Sequence, residues 1–174
     1  MVSAFYFIPV AVLAIIVGRA LDKYSVKNFM MIGAIIYAVG LFSLSFINSY
    51  WSLLTIYLTI LALGSIMMGN LAVAKLISNW FDKNAGRALG IAAVGISFSG
   101  VVLPLVVDPL LDLVGWRNVY VIFASVILFI ILPLIFFTVI DDPKSVNQAK
   151  DGIKKENEEA VSYTHLTLPT RLLV

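Results

Sequence analysis

Apolar residues run through this chain in long blocks separated by short polar interruptions. Residues 1–18 are apolar up to a loop at 18–28, where Arg19, Lys23 and Lys27 surround one carboxylate, Asp22. Residues 28–74 carry no charge at all. That stretch is long enough for two helices, and the cluster Asn48, Ser49, Tyr50, Trp51 and Ser52 suits a hairpin between them at a membrane interface. A second polar interruption at 79–87 contains Asp82, Lys83, Gly86 and Arg87; another apolar block, a turn at 115–118 and an uncharged block then lead to Asp141-Asp142-Pro143. The pattern predicts five membrane spans, at 1–18, 29–47, 53–78, 88–114 and 119–140. Crossing a hydrocarbon core of about 30 Å takes roughly 20 helical residues.

Composition agrees. Hydrophobic residues make up 61% of the chain and charged residues 13%, and the mean hydropathy is +1.01. A soluble fold of this length could not bury so much apolar surface, so an all-α, polytopic membrane protein is expected. The net charge of +2 does not point to nucleic acid. With no Cys and a single His, His165, there is no thiolate or imidazole set for a metal site, and no cofactor is implied. An intramembrane enzyme would need a nucleophile and base or a metal cluster at membrane depth, and the apolar blocks hold no Cys or His, and no acidic pair except near the outer edge. A cleaved signal peptide fits residues 1–18 less well than a span does, because no Lys or Arg precedes the apolar run and Arg19 follows it.

Charge placement gives a topology. With five spans, Arg19, Lys23, Lys27, Lys83, Arg87 and the lysines of 144–155 fall on one side, with Lys75 nearby; Arg117 stands alone on the other. Excess Lys and Arg marks the cytoplasmic side. Trp51, Trp80 and Trp116 all fall at predicted span ends, as an aromatic belt requires. The third and fourth spans are rich in Gly and Ser, which lets helices approach closely, so they are expected to be central. The fifth contains no Gly and is expected to face lipid. Residues 141–160 read as a charged cytoplasmic linker. Residues 161–174 resemble translated sequencing-adapter DNA and are expected to be foreign to the protein.

Some residues stand out as candidates for chemistry. Asp108 is a carboxylate inside the fourth span, and ionisable groups at such positions commonly line a solute or proton pathway; wetting at the outer mouth is the simpler account. Lys75 near the inner end of the third span either snorkels to the interface or attracts an anionic substrate. Asn70, Ser97 and Ser99 are polar positions in the membrane that either contact substrate or bond within the bundle. In the first loop, topology alone explains the cations but not Asp22. Placed four residues after Gly18 at a helix exit, Asp22 can bond a neighbouring helix end or a cation in one conformation and release it in another, as a gate must.

The first loop resembles the cytoplasmic signature of the major facilitator superfamily. Gly18, Asp22, Lys23 and Lys27 match that pattern; Ser25 stands where a second Gly is usual, and Val26 where an Arg is usual. The second loop, with Asp82, Lys83, Gly86 and Arg87 behind Trp80-Phe81, resembles the monocarboxylate and oxalate–formate type branch. Pro104 and Gly115-Trp116-Arg117 continue the likeness. The resemblance implies that residues 1–140 correspond to helices two to six of a twelve-helix fold, a partial N-terminal half. Ser65 occupies the neighbourhood where many proton-coupled members carry an Arg. The Gly-Pro pair of drug–proton antiporters is absent, so that activity is not expected.

The function implied is secondary transport by alternating access in a multi-pass inner (cytoplasmic) membrane protein. The branch implies a small organic anion as substrate, with protons moving too if Asp108 titrates. The implied partners are lipid and the remainder of the same transporter. A facilitator for a sugar, drug or other metabolite, and a non-transporting membrane scaffold, are the alternatives.

Overall fold

The computed structural model describes residues 13–152, all of whose regular structure is helical. Most of the predicted first span and the whole of 161–174 lie outside the described residues. The last turns of the first helix, 13–21 (α1), end at the basic loop, where the Asp22 N–H still bonds the Gly18 carbonyl at 3.2 Å.

The next helix, Val26–Leu44 (α2), starts three residues before the predicted span. Ser25 is its N-cap, its hydroxyl accepting from the Asn28 N–H at 3.3 Å and so satisfying a donor that the first helical turn leaves unpaired. At the far end the Ser45 hydroxyl and N–H both turn back to the Phe42 carbonyl. The side of α2 carrying Val26, Met30, Gly33, Ala34, Ala38, Leu41 and Leu44 is buried. This helix is therefore the centre of the described bundle.

The third helix, Tyr50–Trp80 (α3), runs antiparallel to α2 along a seam of small residues. A Cβ at Gly33 would lie 2.7 Å from the Met67 Cβ, and one at Gly64 only 2.8 Å from the Tyr37 backbone nitrogen. Without Gly at these points the two backbones could not come so close, and close dispersion contact is what holds helices together where water is absent. Two irregularities interrupt α3. A π-turn occupies Tyr57–Leu61, and the helix breaks at Gly69, where a Cβ would sit 2.3 Å from the Ser65 carbonyl oxygen.

The last long helix, Ala85–Thr138 (α4), has 54 residues. Gly115 divides it, with φ 77° and ψ 159°, a conformation essentially confined to glycine. Arg117, just past the break, bonds the Ile47 carbonyl and the Asn48 side chain beyond the C-terminal end of α2. Asp141, just past Thr138, bonds the N-terminal end of α2. The second limb (116–138) therefore runs antiparallel to α2. The first limb (85–114) starts beside Trp80, at the same end as Asp141, and runs the opposite way. The second limb contains its own π-turn at Ile127–Ile131, just before Pro133, which lacks the N–H that a regular helix would use there.

Among the described residues, three helices are thus long and apolar enough to cross a membrane: α2, α3 and α4. The predicted turn at 115–118 is confined to Gly115, and residues 116–118 are already helical. The expected burial pattern differs more. No residue of the first limb is buried, and no described atom lies within 4 Å of a Cβ at Gly86, Gly90, Gly95 or Gly100. The small-residue face of that limb is uncovered among the described residues, and α2 takes the central place instead.

Candidate functional site

Polar contacts concentrate at one end of the bundle, where the start of α2, the end of α3 and the start of α4 meet. This basic end carries Arg19, Lys23, Lys27, Lys75, Lys83, Arg87, Lys144 and Lys150. The Lys75 Nζ donates to Asp22 Oδ1 at 2.7 Å, the one ion pair among the described residues. It ties the loop after α1 to the last turns of α3. Lys27 turns the other way, placing its ammonium 4.6 Å from the centre of the Phe136 ring. That cation–π contact draws the charge toward the second limb rather than toward Asp22.

The segment after α4 completes the cluster. The Asp141 carboxylate accepts from the Ser25 hydroxyl and, at 2.7 Å, from the Lys27 backbone N–H. Its carbonyl accepts from Asn79 Nδ2 at 3.0 Å, and the Ile140 carbonyl accepts from Trp80 Nε1 at 2.7 Å. Asp151 lies across the second loop, accepting the backbone N–H groups of Asp82, Lys83 and Asn84 at 3.1, 2.8 and 3.2 Å. The Lys83 N–H foremost, with those of Asp82 and Asn84 and the Asn84 side chain, holds the Asp151 carboxyl below its ordinary range against an opposing loss of solvation. The segment 141–160, expected to be a linker, is thus ordered and bonded as far as it is described.

At the opposite end, Arg117 stacks over Trp116 at 4.5 Å while bonding Ile47 and Asn48. A positively charged group beside otherwise unpaired carbonyls past a helix C-terminus is favoured by the helix dipole.

The amino-acid pattern matches the family profile of the Major Facilitator Superfamily over residues 1–172. The chain belongs to the major facilitator superfamily. One relative is an MFS-type transporter of Ophiocordyceps, 31% identical over 118 residues, covering 68% of this chain and 26% of the relative. A fujikurins efflux protein of Gibberella fujikuroi is 32% identical over 101 residues, covering 58% of this chain and 22% of the relative. A riboflavin transporter of Saccharomyces cerevisiae is 28% identical over 94 residues, covering 52% and 17%. The chain spans about a quarter of the length of the curated relatives it matches. No solved structure matches it.

Among the residues singled out from the superfamily loop pattern, Asp22 is paired and Lys27 is placed on an aromatic ring, while Lys23 is exposed. No described atom comes within 4 Å of a Cβ at Gly18, so the close backbone approach expected there is not made within the described residues. In the second loop Asp82 and Lys83 supply N–H groups to Asp151, and Gly86 and Arg87 lie in the first turn of α4. Of the membrane candidates, Lys75 joins the cluster. Ser97 and Ser99 bond back to the Ala93 and Ile96 carbonyls of their own helix. Asn70 is exposed at the break in α3, and Asp108 is exposed without a hydrogen-bond partner among the described residues. The residues that composition and motif did not single out are Asp141 and Asp151. Two carboxylates at the edges of a charged segment were the only signal, and their targets are backbone N–H groups, which no side-chain pattern displays.

Proposed function

We propose that this chain is part of a secondary transporter that moves a small organic anion by alternating access, with the basic end facing the cytoplasm. The observation that carries the reading is the Asp22–Lys75 pair, which joins the signature loop to the inner end of α3. Lys75 is positioned to attract an anion, and Asp22 holds its charge while no anion is present. The opposite courses of the two α4 limbs support five crossings, counting α1. Family membership supports transport itself, and the positive-inside bias supports the orientation. Relatives named for riboflavin and fujikurins supply the competing reading, a larger organic solute.

The test is uptake by the full-length transporter in proteoliposomes. Labelled mono- and dicarboxylates, with riboflavin as comparison, are supplied with and without a pH gradient. Carboxylate uptake is expected, and Lys75→Gln should lower it about 10-fold by removing the attracting charge. Uptake of riboflavin with no carboxylate transport would overturn the anion assignment, and unchanged carboxylate uptake in Lys75→Gln would overturn the role of Lys75.

A further inference from the structure

Residues 140–151 touch the basic ends of three other helical segments within twelve positions. Their two halves differ in how firmly they hold. At the first half, the Asp141 carboxylate and carbonyl and the Ile140 carbonyl engage Ser25, Lys27, Asn79 and Trp80, and Pro143 is fully buried beside them. Ser25, which departs from the superfamily loop pattern, serves here twice: it caps α2 and donates to Asp141. The chain then doubles back through Asn147 and Asp151, both left-handed at φ 56° and 59°. Its second half is held by polar contacts in the open: Lys150 Nζ to the Ser78 carbonyl at 3.2 Å, and the Asp151 carboxylate to the N–H groups of 82–84.

The element held by that second half is the first limb of α4, none of whose residues is buried among the described residues. Its start is bonded to Asp151, and its far end joins the segment anchored by Arg117. We propose that residues 140–151 form a strap whose Asp151 end is a releasable lock on the first limb of α4. While docked, it fixes the start of the limb against α3. On release, the limb pivots about its Arg117 end while α2 and α3 stay joined through Asp141. The inference does not depend on which solute is carried.

The chain has no Cys, so introduced cysteines label uniquely. Spin labels at Ile32→Cys on α2 and Ile91→Cys on the first limb, both exposed, report the limb's position in the full chain reconstituted in lipid nanodiscs. The docked strap predicts one narrow distance distribution. Asp151→Ala should at least double its width and raise amide exchange at 82–84 on the order of 10-fold, with helicity unchanged. Asp151→Asn, which keeps one acceptor oxygen and the same volume, should fall between them, and serves as the readout if the alanine variant loses helicity. Lys144→Ala, on the strap but outside these contacts, should leave the distribution narrow. A broad distribution in the unmodified chain, or equal widths in the unmodified chain and the folded Asp151 variants, would overturn the proposal.

Discussion

Lys75 and Asp22 stand 53 positions apart and meet at 2.7 Å with side chains 36% and 69% exposed. An ion pair this wet contributes about 0–1 kcal/mol, because water and salt screen it and both side chains lose freedom. That weakness suits the gate proposed for this pair, which would break and reform, whereas a dry pair would hold one state. The charge exchange Asp22→Lys with Lys75→Asp tests this. Each single change places like charges together and should slow turnover of the full-length transporter several-fold. The double exchange should restore the pairing, read as recovery of the unfolding free energy lost in the single changes with a coupling below ~1 kcal/mol, while uptake stays low because position 75 then carries a carboxylate. Both charges are visible in the sequence, and so is the odd placement of Asp22. Their pairing is not, since no local period connects a loop to a helix two elements later.

At the scale of elements, Gly115 and the strap make different demands. Gly115 at φ 77° and ψ 159° separates two limbs that, if continuous, would form a rod of roughly 80 Å against a hydrocarbon core of about 30 Å. Gly115→Ala should cost about 1–3 kcal/mol of unfolding free energy or straighten the helix and detach Arg117 from Ile47. Spin labels near the two ends of α4 would separate in the second case. The strap responds to acid in a defined direction. The folded Asp151 carboxyl lies below its ordinary value, so its contact is complete above the unfolded pKa of about 3.9 and is lost as pH falls through the lowered value. Label distances on the first limb should therefore hold from pH 8 to 5 and broaden only in stronger acid; Asp82, Lys83 and Lys150 are the charged neighbours. The positions of the long helices were legible to within about three residues, because apolar runs mark them. The strap was not legible, because it is polar, has no apolar stripe and gains its order from backbone donors in another loop.

For the whole molecule, the texture of the fourth predicted span suggested a central helix, yet Gly90, Gly95 and Gly100 meet nothing among the described residues. Small residues record that a helix is suited to close approach but not what approaches it. The family, the helical class and the polarity of the two ends could all be read from the loops. The central role of α2 could not, because its Gly33 and Gly40 only acquire meaning opposite Met67 and Leu61. The π-turns at Tyr57–Leu61 and Ile127–Ile131 have a consequence for how this bundle tolerates change. Each accommodates one extra residue, turning everything beyond it by about 100°. Trp51 and Met67, about 160° apart on a uniform 3.6-residue wheel, therefore come to lie about 60° apart. Tolerance to substitution along α3 should follow two helical waves that fall out of phase near residue 60, and evolution can shift that phase with a single inserted or deleted residue while both ends of the helix keep their partners.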